Sequence, residues 1–327
     1  MVSLRDLLIL FRAQTAAATV FTITIPYILA GGDIALLAVL VPLGILTHFF
    51  SFGHNSVMDY WYDIHDPNKA HHPLESGRIE LHTAHQIIHT GQVILAVALC
   101  VLALFKSPAA LTPLLLYIVF GHAYNDGLDK NTILSFLPIS LCFTSLAAYG
   151  WVLANGEVNS IFALVLLWAF LTILYQIGWE GNLKDVWNPS ERRFNLIVKI
   201  GRKEQTIIIP LWFSITMISL RVIANSVIIL LIYMLMDPHN LVFPAIFMLF
   251  TFLSLRPVLK LHINPKMDRK LLLEHFGQAE AFEFFRFMNL LILTPNAYLF
   301  LLLTVFGILW FIGMNRYLFG TTFGPKV

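Results

Sequence analysis

Charge is what this chain has least of: only 12% of its 327 residues are Asp, Glu, Lys or Arg, against 58% hydrophobic and a mean hydropathy of +0.75. A soluble domain carries about a quarter charged residues, so a water-soluble enzyme of ordinary type, a disordered chain and a nucleic-acid binder are all excluded. Cysteine is nearly absent. The two present, Cys100 and Cys142, lie in apolar runs, which excludes a disulfide scaffold or a thiolate metal cluster and reads as two small apolar core residues. There is no Gly-rich phosphate loop, nucleophile elbow or redox cysteine pair, and no convincing internal repeat.

What is abundant is apolar sequence in long runs, each near the length needed to cross about 30 Å of hydrocarbon. Nine are read: Ala13 to Ala30, Ile34 to Phe52, Ala84 to Phe105, Ala109 to Ala123, Ile133 to Leu153, Ser160 to Ile177, Ile208 to Met236, Leu241 to Leu259 and Asn289 to Met314. The fourth is short. The seventh is too long for one upright helix and contains Arg221 and Asn225, which suggests a tilt or a break. The opening residues 1–14 alternate charged and apolar positions at helical spacing, as an interfacial helix leading into the first span does, and no secretory leader is read ahead of it.

With a cytoplasmic N-terminus, nine spans place 17 of the 21 Lys and Arg on or near the cytoplasmic segments, leaving Lys106, Arg316 and Lys326 opposite and Arg221 within a span. That is a strong positive-inside signal. The same division puts 16 of the 19 acidic residues on the cytoplasmic side, which the orientation rule does not explain. Two readings stay open: chemistry on that face, or long loops that collect polar residues of either sign.

The end of the second span carries the most informative stretch, residues 53–79. Asn55, Asp59 and Asp63 stand at i, i+4 and i+8 and share one helical stripe. Unpaired carboxylates so close repel, the more so near lipid, and a hard divalent cation such as Mg²⁺ would remove the conflict. The bland alternative is an acidic helix end in water.

This stretch resembles the first aspartate-rich motif of the UbiA superfamily of intramembrane prenyltransferases, NDxxDxxxD followed by a basic residue, Pro-Leu and Ser-Gly-Arg. Here it reads Asn55, Ser56, Asp59 and Asp63, then HPLESGRI from His72 to Ile79, with Ser56 and His72 departing from the usual Asp and Arg. A second register would emphasise Asp59 and Asp66. The family's second motif, DxxDxxxD, resembles residues 178–201 only in degenerate form. Asp185 matches, Asn182 replaces one aspartate and Pro189 occupies the last position, so Glu180, Asn188 or Glu191 is left to supply the missing ligand. Tyr124, Lys130 and Thr132 are similar to a third family segment, and Arg12-Ala13-Gln14 resembles its opening Arg-Pro.

The resemblance spans nearly the whole chain, read as one domain over residues 1–327. It implies an all-α polytopic membrane bundle around a central cavity, capped on the cytoplasmic side by loop helices, one of them at residues 268–287. The implied activity is Mg²⁺-dependent transfer of a prenyl group from a polyprenyl diphosphate to an aromatic or lipid acceptor. Asn55, Asp59, Asp63, Asp185 and Glu191 would hold the metal. Lys130, Arg192 and Arg193 would neutralise the diphosphate, with Tyr124 and Arg12 at the substrate. The alternatives are a UbiA-type terpene cyclase that needs no acceptor, and an impaired member that only binds a lipid or partner. Eight of the twelve histidines fall between His48 and His89, and His82, His85 and His89 share a helical face. They read as interfacial side chains satisfied by water or backbone rather than a metal site.

Overall fold

The computed structural model describes residues 2–128, 134, 136–187, 202–203, 206–235, 242–263 and 266–322. It is a helical bundle, as lipid requires of a chain that must satisfy its backbone hydrogen bonds internally. The helices are α1 Leu4–Leu10, α2 Ala16–Leu29, α3 Leu37–Asp63, α4 Leu81–Lys106, α5 Leu111–Ala123, α6 Phe136–Leu153, α7 Ser160–Ile173, α8 Leu211–Leu235, α9 Val242–Ile263, α10 Arg269–Asn289 and α11 Tyr298–Phe319. A small antiparallel sheet, in the order β1 Arg202–Lys203, β2 Thr206–Ile208, β3 Lys266–Asp268, ties the chain ahead of α8 to the chain ahead of α10.

Seven of the described helices are long and apolar enough to cross a bilayer, and an eighth span arises if α1 and Ala13–Leu29, bent by 60°, are taken together. The expected fourth span is the 13-residue α5, which rises only about 20 Å. The expected seventh is an unbroken α8 of 25 residues despite Arg221 and Asn225.

The larger departure is α10, expected as a covering helix. It follows β3, which pairs with the strand before α8, and runs back along α9: Phe285 stacks on Phe250 and the Arg286 guanidinium lies over the Phe247 ring. Its far end, Met288 with Leu291 beyond it, packs with Tyr27 and Ile28 at the end of α2. Thus α10 runs from one face of the bundle to the other. Its charges, among them Glu280, Glu283 and Arg286, hid it from a hydropathy reading. The extra traverse reverses α11. Trp310 donates its indole N–H to the Ala13 carbonyl at 2.7 Å, and Arg5 donates to the Leu318 carbonyl at 2.6 Å. The end of α11, Arg316 included, therefore lies on the same face as α1, not opposite as nine spans required.

Two hydrophobic clusters build the bundle, one around Phe21, Leu99, Tyr149 and Leu299, the other around Trp168, Phe213, Met217 and Ile228. In the first, Gly150 lets α6 lie against α2, since a β-carbon there would stand 2.1 Å from the Ile23 carbonyl oxygen. Cys100 on α4 and Cys142 on α6 are both free thiols, Cys142 buried.

Candidate active site

The bundle encloses a cavity of about 880 Å³. Segments of α2 to α7, α10 and α11 line it, while α8 and α9 stand outside that ring. Most of the wall is apolar, including Leu95, Leu99, Ile118, Phe143 and Leu146. The polar residues gather at the end where α3 terminates.

There α3 delivers the expected stripe. Asp59 and Asp63 are 4% and 2% exposed, burial that two carboxylates one turn apart tolerate only with compensating cations. Asn55 and Asp59 line the cavity, whereas Asp63 accepts from the Lys69 ammonium and does not. Lys69 itself lines the cavity. The chain reaches it through a tight turn, Pro67–Lys69, capped by Asp66, whose carboxylate accepts from the Asn68 backbone N–H at 2.9 Å and from its amide at 2.7 Å. Asp66, the alternative motif position, is thereby engaged in the turn. Partial desolvation holds the neighbouring His71 below the ordinary imidazole value, His72 adding to the effect.

Arg12 occupies the break between α1 and α2 with a left-handed backbone (φ 50°), a conformation few side chains adopt. It lines the cavity and donates to the side-chain amide oxygen of Asn55 at 3.3 Å, and its own backbone carbonyl contacts His48 Nε2 at 3.1 Å. Asn55 in turn donates to Asn125 at 3.3 Å. Asn125 and Tyr124 belong to a π-helical turn, Tyr124–Leu128, that closes α5 and lines the cavity. So Arg12, Asn55, Asp59 and Tyr124, far apart in sequence, meet at one end of the cavity, with Lys69, His54 and Asn125 added. The sequence signal for Lys69 is the Asp-Pro-Asn turn that folds it back onto the helix it follows.

The second wall is less fully described. α7 widens into a π-helical turn, Leu174–Trp179, and then tightens into a 3-10 helix, Glu180–Trp187, which contains Asp185. Lys130, Thr132, Asn188, Pro189, Glu191, Arg192 and Arg193 lie outside the described residues, and so does the Asp185 side chain. Glu180 is described, and it does not line the cavity. It is buried, with one carboxylate oxygen 2.6 Å from Arg221 Nη2 and the other 2.8 Å from His262 Nε2. Arg221 also pairs with Glu283 at 3.0 Å, and Glu283 with Arg286 at 2.7 Å, while Arg286 reaches Asn225. The Arg221 guanidinium rests 4.3 Å over the Tyr175 ring.

The stripe's donor set is all oxygen, the kind a hard cation such as Mg²⁺ takes. Among the described residues the His82, His85 and His89 set does not converge on a metal-sized site; only His54, His122 and Asp126 do.

Comparison with known proteins agrees with this architecture. A search of the curated proteins finds no match. Among solved structures, one described as giving structural and mechanistic insights into digeranylgeranylglyceryl phosphate synthase in membranes superposes with a TM-score of 0.58 at 20% identity, over 89% of this chain and 98% of the other. A UbiA homologue from Archaeoglobus fulgidus bound to DMAPP and Mg²⁺ gives 0.52 at 13% identity, over 94% and 98% of the two chains. The same homologue bound to GPP and Mg²⁺ gives 0.52 at 14% identity, over 94% and 99%. The profile of the UbiA prenyltransferase family matches residues 17–276, which take in α2 to α9, the carboxylate stripe and most of the cavity wall. By that match, on a bundle of this form, the chain belongs to the UbiA prenyltransferase family and is an integral, multi-pass membrane protein.

Proposed function

We propose that this protein transfers a prenyl group from a polyprenyl diphosphate to an aromatic or lipid acceptor within the membrane, with Mg²⁺ as cofactor. One observation carries the reading: the buried Asp59 carboxylate, the Asn55 amide and the cationic side chains of Arg12 and Lys69 line one end of a cavity whose wall is mostly apolar, with Asp63 buried one turn beyond Asp59. A prenyl diphosphate has the same division, a doubly acidic head on a hydrocarbon tail. The homologue structures bound to DMAPP or GPP with Mg²⁺ support a prenyl diphosphate as substrate and Mg²⁺ as cofactor.

In this reading Asn55, Asp59 and Asp63 would hold Mg²⁺ from the first wall, and Asp185 with Glu191 from the second. When bound, the metal neutralises the diphosphate and makes it a better leaving group. Lys69 and Arg12, with Lys130, Arg192 and Arg193, would hold the diphosphate oxygens as the allylic C–O bond breaks and negative charge grows there. Fixed cations aimed at that charge lower the barrier by several kcal/mol. Tyr124 would border the head group. The apolar wall keeps water from the allylic cation until the acceptor's nucleophile reaches it.

An acceptor, rather than cyclisation of the prenyl chain on itself, is favoured by two other side chains. Gln14 on the turn before α2 and Gln176 in the π-helical turn after α7 both line the cavity, and Gln14 Oε1 and Gln176 Nε2 are buried without a hydrogen-bond partner among the described residues. Such atoms cost about 1–3 kcal/mol each, which a polar acceptor group would offset and a hydrocarbon would not.

The test is incubation of the purified protein with labelled C10 to C20 prenyl diphosphates and Mg²⁺, with and without a panel of quinone precursors, phenols and glycerol phosphate lipids. A prenylated product that forms only with acceptor is the expected result. A cyclic hydrocarbon formed without acceptor overturns transfer in favour of cyclisation. Full retention of the diphosphate with every acceptor overturns catalysis altogether.

A further inference from the structure

Beside the carboxylate stripe stands a second cluster whose ligand atoms are of a different kind. His54 projects from α3 one residue before Asn55; His122 ends α5; Asp126 sits four residues later in the π-helical turn. His54 Nε2 lies 3.3 Å from Asp126 Oδ1, His122 Nδ1 lies 3.1 Å from Asp126 Oδ2, and one ligand atom from each residue falls within 4.8 Å of the other two. The two rings are 5.1 Å apart between centroids. His54 and His122 both line the cavity.

We propose that His54, His122 and Asp126 form a transition-metal site on the cavity wall, separate from the carboxylate stripe, that takes Zn²⁺ or an ion of the same ligand preference. The ligand atoms are close and must still converge. With metal–ligand bonds of about 2.0–2.1 Å, the edges of a tetrahedral site are about 3.3 Å; one ligand atom of each residue lies within 4.8 Å of the other two, and the 3.3 and 3.1 Å contacts of the histidines run to the two different oxygens of Asp126. Two imidazoles and one carboxylate select a borderline ion over Mg²⁺, which prefers oxygen donors and retains water. Three protein ligands leave a fourth position for water or for an oxygen of a molecule in the cavity.

Two features beyond the ligands support a built site. The turn bearing Asp126 is π-helical, a local widening of the helix that recurs at functional sites. Asn125, in the same turn, places its side-chain amide 3.3 Å from His54 Nδ1 and holds the ring with Nε2 toward Asp126. Asn125 also accepts from Asn55, so an ion at the histidines would stiffen the helix end that bears the stripe. The inference needs no turnover and stands apart from the transferase reading.

The test uses the full chain in detergent, stripped by a chelator and returned to millimolar Mg²⁺, with Zn²⁺ added in equilibrium dialysis and Co²⁺ as the spectroscopic probe. One Zn²⁺ per chain is expected, with a rise in the thermal midpoint and a Co²⁺ spectrum of four-coordinate form. His122→Ala and Asp126→Asn, both at half-exposed positions, should keep the elution profile of the metal-free protein. Each should weaken Zn²⁺ binding at least tenfold, while Asp59→Asn and His85→Ala bind as before. Absence of Zn²⁺ binding in the unaltered protein overturns the site. So does unchanged affinity in both His122→Ala and Asp126→Asn, or a loss seen in Asp59→Asn, which would put the ion on the stripe.

Discussion

Asp59 and Lys69 face the same cavity yet carry opposite charge, and their substitutions separate two tasks. Asp59→Asn keeps the size of the side chain and removes the charge that a divalent ion needs, so diphosphate release should fall at least about a hundredfold, the loss of a few kcal/mol of transition-state stabilisation. Asp63→Asn should be as severe, and it also leaves the Lys69 ammonium without its carboxylate partner. If both variants release diphosphate at the full rate in Mg²⁺, the stripe has no role in the chemistry. Lys69→Met removes a point charge and should raise the KM for the prenyl diphosphate, with Mg²⁺ binding retained in a calorimetric titration. Gln176→Leu addresses the other substrate. Its buried amide nitrogen has no hydrogen-bond partner among the described residues, so the variant should raise the KM for the acceptor several-fold and leave the diphosphate KM unchanged. A shift in both constants would assign Gln176 to packing.

At the scale of elements, four helical segments are joined by buried charge. Glu180 after α7, Arg221 on α8, His262 on α9, and Glu283 with Arg286 on α10 form one chain of ion pairs, 0–7% exposed at the side chain. Glutamates and arginines balance one for one, and that lets the segment carrying Asp185 be anchored against helices outside the cavity ring. Removal of one member leaves a buried charge without its counterion and costs about 3–5 kcal/mol. Arg221→Met should therefore lower the thermal midpoint in detergent well beyond the effect of an exposed change such as Arg316→Met. Restoration of full stability by the single change alone would show that Glu180 and Glu283 take other partners. Gly150→Leu probes the opposite kind of contact: its side chain meets the Ile23 backbone, which must move, so α2 and α6 should separate and the protein should lose stability by an amount that Gly313→Leu, set in open space, does not show.

For the whole molecule, the reversal of α11 changes the expected distribution of charge across the bilayer. Arg316 joins the face that holds Arg5, Lys69 and the carboxylate stripe, and Lys106 with Glu157 stands at the other, where the Asn155 amide donates to the Lys106 carbonyl at 3.4 Å. The positive-inside asymmetry becomes steeper than nine spans gave, and on it we propose that the site face is the cytoplasmic one. Cysteines introduced at Lys69, Lys270 and Arg316 should be labelled by an impermeant reagent from the cytoplasmic side, and those at Lys106 and Glu157 from the other side only. Labelling of Arg316 together with Lys106 would restore an odd number of crossings and place α10 on the surface.

Composition by itself determined that this chain lives in lipid, because runs of some twenty apolar residues have no other stable environment and in lipid must be helical. Spacing determined the stripe of Asn55, Asp59 and Asp63, because the helical repeat is local and needs no knowledge of the partner surface. The degenerate second motif stayed open for the opposite reason. Whether Glu180 is a ligand or a counterion depends on Arg221 and His262, 41 and 82 residues away, and no local pattern encodes that distance. The same holds for α10: read alone, its charges argue for water, and only their pairing with α8 and the turn after α7 makes a buried traverse affordable. Lys69 and the cluster of His54, His122 and Asp126 were likewise settled by folding, since a turn and a widened helix end decide what they face. Sequence fixes what each segment can be; long-range electrostatics and packing fix which charges meet, and in this protein those meetings determine the number of traverses and the neighbours of the site.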